Sequence, residues 1–276
     1  MQFLSTVHPD DLKSASTALL RERFLLSGLF APGAVKLAYW EIDRTVVGGA
    51  VPLAVPLELQ TDPGLRAATF CERRELGVIN LGGPGAIEVD GVRQAMATHD
   101  GLYVGRGAKG IVFHSDNSAA PAKFYLLSYP AHRAYPTKHI SAAAFPAANL
   151  GAAVTANQRA LRKYIAPGLV ESCQLVMGLT ALQPGSVWNT MPSHTHLRRS
   201  EVYCYTGIPA DQVVFHFMGQ PQETRHLVMR DLDIVLSPSW SIHSGVGTTA
   251  YAFVWGMGGE NQEFADMDAI PTQNLL

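Results

Sequence analysis

His194 and His196 are separated by one residue, Glu201 follows five positions later, and His243 stands in a turn-rich approach to a later apolar segment. On a β-strand, residues i and i+2 share a face, so the imidazoles of His194-Thr-His196 project together. A straight strand would put Glu201 on the opposite face, and a bulge or bend across Leu197–Ser200 returns it to the histidines. Three imidazoles and one carboxylate form a nitrogen and oxygen donor set of intermediate hardness. It suits Zn²⁺, Fe²⁺, Mn²⁺ or Ni²⁺, and the donors alone do not choose among them. An ion held there with one open position polarises a carbonyl or hydroxyl oxygen.

Strands must position these groups, and the chain supplies them. Turn signals such as Pro32-Gly33, Gly82-Gly83-Pro84-Gly85, Asp90-Gly91 and Pro184-Gly185 punctuate short runs rich in β-branched and aromatic residues. In the first half these include Val35–Ile42, Gly77–Leu81, Ala86–Val89, Leu102–Val104, Ile111–His114 and Lys123–Tyr129. The second half continues with Cys173–Leu179, Val202–Tyr205, Val213–Met218, Thr224–Met229, Ile234–Leu236 and Tyr251–Trp255. Many short strands at regular spacing indicate an all-β sandwich or barrel. Two segments read as helices. Residues 10–24 offer Asp10 as a cap, and residues 155–165 open with Thr155 and Gln158 in capping-box spacing.

A weak internal repeat relates Arg73-Arg74-Glu75-Leu76 to Arg198-Arg199-Ser200-Glu201, each followed by an acidic turn and an apolar strand at Asp100–Val104 and Asp231–Val235. Two β-units of similar length are expected, residues 1–145 and 146–276, joined by an Ala/Pro/Gly-rich connection. The first unit keeps Glu75 but has no preceding His-x-His, and a rough alignment places Ile111 opposite His243. One metal site per chain is therefore expected, in the second unit.

Composition narrows the function classes. The 276 residues carry 21 Lys and Arg against 23 Asp and Glu, without the basic footprint of a nucleic-acid binder. No apolar run approaches the roughly 20 residues of a membrane helix, and the N-terminus lacks a signal-peptide pattern. Cys71, Cys173 and Cys204 are few and scattered, which reads as apolar thiols of a reducing cytoplasm. The glycines of Gly105-Arg-Gly107 and Gly82–Gly85 are turn-like, so no dinucleotide cofactor is expected.

His194-x-His196-x₄-Glu201, then Gly207 and the distant His243, resembles the metal signature of the cupin superfamily. A closer similarity runs along nearly the whole chain. Its most specific stretches are Met218-Gly-Gln-Pro-Gln-Glu-Thr-Arg-His226 and Ser237-Pro-Ser-Trp-Ser-Ile-His-Ser-Gly245, supported by Glu72–Asn80, Pro136–Lys138, Trp188–Pro192 and Trp255-Gly-Met257. These resemble the 5-keto-4-deoxyuronate isomerase family, ketol isomerases of pectin breakdown acting on 4-deoxy-L-threo-5-hexosulose uronate. The resemblance implies two consecutive cupin barrels with a few short helices. It also implies a zinc ion on His194, His196, Glu201 and His243, and a homohexamer acting on a small deoxyuronate.

A ketol isomerase needs a base near the migrating hydrogen, an electrophile at the two oxygens and an anchor for the substrate carboxylate. On the strand around 222–229, Glu223 and Arg225 share one face, as base and anchor, while His226 on the other face is the alternative base. Arg198 and Arg199, and more remotely Lys138 and Arg162, are further anchors. The same donor set also fits an iron-dependent cupin dioxygenase or a sugar-binding cupin without turnover.

Overall fold

The computed structural model describes all 276 residues and is built almost wholly of strands. They form two compact units of one plan, each a seven-stranded sheet with a four-stranded sheet. In the first unit the larger sheet orders its strands as 2–4, 35–40, 45–50, 124–130, 74–80, 101–104 and 138–140. In the second the order is 148–150, 159–165, 176–182, 252–259, 199–206, 234–237 and 25–26. The smaller sheets are 57–58, 111–115, 85–89, 92–96 and 188–189, 244–247, 214–220, 223–229. This is the all-β, double-cupin architecture expected from the sequence.

The units are not the two halves of the chain. Ser5–Ser27 belongs with the second unit, and Tyr164–Val176 belongs with the first. A cut between residues 145 and 146 therefore does not separate them.

Both helical expectations are corrected in detail. Pro9–Ser14 is a 3₁₀ turn capped by His8, not Asp10, and the α-helix spans Thr17–Phe24 with Ser16 as its cap. The segment expected as a helix over 155–165 is instead a strand, Arg159–Ile165, preceded by a single 3₁₀ turn at Ala153–Thr155. Thr155 spends its hydroxyl on the Ala152 carbonyl and the Asn157 side chain, so it caps nothing. No helix is long and apolar enough to cross a membrane.

Register shows why only one unit is built for chemistry. In the first unit the Asn80 N–H donates to Asp100, and in the second the Tyr205 N–H makes the same bond to Asp233. Counting back along both strands sets Arg74 against Arg199 and Leu76 against Glu201. Glu75 thus matches Ser200 and faces the other way. In the smaller sheets Val112 is paired with Glu88, as Ile242 is bonded to Gly219, which sets Phe113 against His243. Phe113, rather than Ile111, is the counterpart of that histidine. Leu76 and Phe113 are fully buried in one apolar cluster with Val78 and Ile87. Where the second unit converges polar donors, the first has a packed hydrocarbon core. Glu75 has a structural use: its carboxylate accepts from the Tyr103 hydroxyl and from the backbone N–H groups of Cys173, Gln174 and Leu175 at 2.7–2.8 Å.

Candidate metal centre

The short strand His194–Thr195 pairs with Asp268–Ala269, which fixes the first histidine. The chain then reverses in a tight turn, with the Arg199 N–H donating to the His196 carbonyl at 3.1 Å. This turn is the bend that the spacing requires, and it delivers Glu201 on the central strand Arg199–Thr206 to the same side as the histidines. His243 arrives from the end of a Pro- and Ser-rich loop, just before the strand Ser244–Gly247.

The four side chains point one donor atom each at a common centre. His194 Nε2 lies 3.0 Å from both His196 Nε2 and His243 Nε2, and Glu201 Oε2 lies 3.0 Å from His196 Nε2 and 2.8 Å from His243 Nε2. All four donors fall within 4.8 Å of one another. His196, Glu201 and His243 are buried, while His194 is partly open.

Such crowding has a chemical reading. His196 Nδ1 lies 2.7 Å from the Asp266 carbonyl, which can only accept, so the ring carries its proton there and turns a bare lone pair inward at Nε2. Burial, reinforced by His243, pulls the His194 imidazole down to about 2, so this ring is neutral. Burial alone would raise the Glu201 carboxyl, but the attraction of the His243 imidazole, foremost, outweighs it and holds the group anionic, below the usual carboxylate range. Three nitrogens converging beside one carboxylate lack enough protons to satisfy one another. Ligand bonds of about 2.0–2.2 Å on a shared ion place donors roughly 3–3.5 Å apart, close to what is seen. The residues fit a divalent cation.

The cluster forms one wall of a cavity of about 330 Å³ inside the second unit. Tyr203 and Thr190 stand beside the ligands, their hydroxyl oxygens 3.0 Å apart. Burial, then the nearby Glu201 charge, pushes the Tyr203 phenol well above its ordinary value. Tyr203 therefore keeps its proton and acts as a donor. Trp255, Met257, Phe264 and Met267 make much of the lining apolar, and Arg159 is the cation on it. A neighbouring depression lined by Asn149, Gln158 and Gln183 shares Arg159 and Leu150 with the cavity.

The other residues singled out by sequence lie elsewhere. Glu223, Arg225 and His226 sit on Glu223–Met229, the outermost strand of the smaller sheet, and none lines the cavity. Arg225 is paired with Glu223 at 2.6 Å and donates to the carbonyls of Leu12 and Lys13, and His226 is exposed. Arg198 grips Asp266 and Asp268. Arg199 is buried, with one nitrogen 2.8 Å from the Asp266 carbonyl and 3.2 Å from His196 Nδ1. Lys138 donates to the Leu169 carbonyl in the first unit. Two contributors escaped the sequence reading: Arg159, hidden in the supposed helix, and Asp266, whose backbone carbonyl leaves no side-chain signal.

A family model described as the KduI/IolB family matches residues 31–271. The chain is 52% identical over 271 residues to a Burkholderia cenocepacia protein named 4-deoxy-L-threo-5-hexosulose-uronate ketol-isomerase, covering 98% of each. Proteins of the same name from Salmonella typhimurium and Lachnoclostridium phytofermentans are each 51% identical, with full coverage of both chains. Among solved structures, an IolB-like protein from Salmonella typhimurium superposes with a TM-score of 0.71 at 12% identity, over 90% of this chain and 97% of that one. An oxalate decarboxylase from Bacillus subtilis gives 0.57 at 8% identity, over 79% and 70%. At such identities these structures speak for the fold alone.

Proposed function

The chain belongs to the KduI/IolB family, and from that membership we propose that it is a ketol isomerase converting 4-deoxy-L-threo-5-hexosulose uronate to 3-deoxy-D-glycero-2,5-hexodiulosonate. The naming of full-length relatives at about half identity supports the reaction. The observation that carries the chemistry is the convergence of four buried or half-buried donors on the wall of a substrate-sized cavity.

His194, His196, Glu201 and His243 are proposed to hold one divalent cation per chain, zinc by family resemblance. When bound, that ion would supply Lewis acidity, making the C–H next to the substrate carbonyl more acidic. The protein's own groups do the rest. The protonated Tyr203 hydroxyl, held by Thr190, presents a hydrogen bond to a substrate oxygen and retains its proton at Oη. Glu201 turns Oε2 to the shared centre, which leaves its Oε1 as the carboxylate oxygen of the lining that can take the proton moved between the adjacent carbons. Trp255, Phe264 and Met257 exclude water, which protects an enediol from side reactions. Bonded to one another and to the helical segment's carbonyls, Glu223 and Arg225 serve the packing of Ser5–Ser27 within the second unit.

A homohexamer working in the cytoplasm on uronates released from pectin completes the proposal, on the strength of the family resemblance. Purified protein incubated with the deoxyuronate and followed by NMR should show the diketone accumulate, with loss of turnover on chelation and recovery when the cation is restored. Metal-replete protein that leaves the substrate unchanged would sink the isomerase assignment. Oxygen uptake with an iron-loaded sample, or ligand binding without conversion, would then favour a dioxygenase or a binding protein. Sedimentation measures the assembly state directly.

A further inference from the structure

We infer that Arg159 is the substrate's carboxylate anchor, and so the residue that selects an acid over a neutral sugar; this rests on the isomerase reading. The substrate carries its carboxylate at the end of the carbon chain opposite the reacting aldehyde. The protein must therefore supply a cation on the cavity wall, away from the ligand cluster. Arg159 is the cationic side chain that lines the cavity, and it also lines the neighbouring polar depression.

Three further observations favour it. First, its donors are largely unspent: Nη1 gives one hydrogen bond to the Asn157 carbonyl at 3.0 Å, and no acidic side chain is paired with it. A guanidinium carries five N–H groups in a planar fork that matches a carboxylate with two parallel bonds. Second, it is half-buried, and burial lowers its affinity for the proton, so it gains from an anion that enters beside it. Third, the competing cations are committed or lie off the lining: Arg199 gives one nitrogen to the Asp266 carbonyl and does not line the cavity. Arg198 is held by Asp266 and Asp268, Arg225 by Glu223, and Lys163 lies 3.8 Å over the Phe264 ring.

The strand geometry explains how the arginine gets there. Along Arg159–Ile165 alternate residues share a face, and Arg159 and Leu161 both line the cavity. Asn157, two residues earlier, offers its carbonyl to the guanidinium and its side chain to the Ala152 N–H and the Thr155 hydroxyl, which braces the turn beneath.

The test compares wild type with Arg159→Met and Arg159→Lys, all with metal content measured. On the deoxyuronate, Arg159→Met should lower kcat/KM by at least about 30-fold, mostly through KM, because one partner of a partly buried charge pair is lost. Arg159→Lys should recover part of that loss, since it restores charge without the fork. On the analogue whose carboxylate is reduced to an alcohol, the gap between wild type and Arg159→Met should shrink towards parity. An unchanged KM in metal-replete Arg159→Met overturns the inference, as does an equal loss on the uncharged analogue. Calorimetric binding of the deoxyuronate separates the two levels of the proposal. If wild type binds without turnover and Arg159→Met does not bind, the anchor stands and the isomerase assignment falls. If wild type neither binds nor turns over, both fall.

Discussion

Replacing Arg198 by Met tests how the centre is held from behind. Arg198 Nε reaches both carboxylate oxygens of Asp266 at 2.8 and 2.9 Å, and Nη2 reaches Asp268 at 3.2 and 3.3 Å. Asp266 in turn presents its backbone carbonyl to His196 Nδ1 at 2.7 Å, and Asp268 lies on the strand paired with His194–Thr195. One guanidinium therefore fixes the acceptor that sets the His196 tautomer and the strand that carries His194. Groups that orient a metal ligand are worth roughly 10- to 100-fold in metal affinity. The Arg198 side chain is 35% exposed, so its loss as a surface ion pair should barely change the stability of the metal-free protein. Arg198→Met should accordingly weaken zinc binding by roughly 10- to 100-fold in competition against a chelating indicator, with the apo melting temperature nearly unmoved. Arg198→Lys should recover part of the affinity. Asp266→Asn should reproduce the defect, and the double variant should be no worse than either single one, because both cut the same linkage. Unchanged zinc affinity in Arg198→Met would refute the linkage, as would defects that simply add.

Three other outcomes follow from geometry already described. Glu201→Gln removes the only anionic ligand while keeping its shape, so the protein should lose its metal on desalting, by elemental analysis, while circular dichroism remains native; full retention would remove Glu201 from the ligand set. Burial holds His194 neutral down to about 2 and His216 down to about 3. The unfolded chain therefore takes up protons that the folded one refuses, and the melting temperature of the apo protein should fall as pH drops below about 6.5, whereas a flat profile from pH 7 to 5 contradicts the burial reading. In the first unit, Glu75→Leu leaves three backbone N–H groups and a buried tyrosine hydroxyl without their acceptor, which should cost roughly 3 kcal/mol or more in denaturant unfolding; a neutral result would mean that water replaces the carboxylate.

The convergence of His194, His196, Glu201 and His243 was legible because its information is local. His194 and His196 share a face by strand periodicity, and only a tight turn is needed to add Glu201. The strands were legible for the same reason: Ala86–Val89, Leu102–Val104 and Ile111–His114 each differ from the observed element by a residue at one end. Arg159 was missed because Thr155 and Gln158 mimic a helix cap, and Leu161 and Ile165 stand one helical turn apart. Glu75 was misaligned because the repeat was matched by residue type. A one-residue offset on a strand exchanges the two faces, and the hydrogen-bond ladder that resolves it is a long-range property. Asp266 had no signal at all, since its contribution is a peptide carbonyl.

The interleaving of the two units has a consequence for how the chain is made. Residues 5–27 leave the ribosome with Leu12, Leu20 and Phe24 destined for burial, about 200 residues ahead of Val235 and Ile234, with which Leu25 and Leu26 pair. The second unit thus cannot close its larger sheet until those partners have been made. Its earliest apolar segment spends that interval without a home, which makes it the natural client for a chaperone and the place where truncated products begin to aggregate.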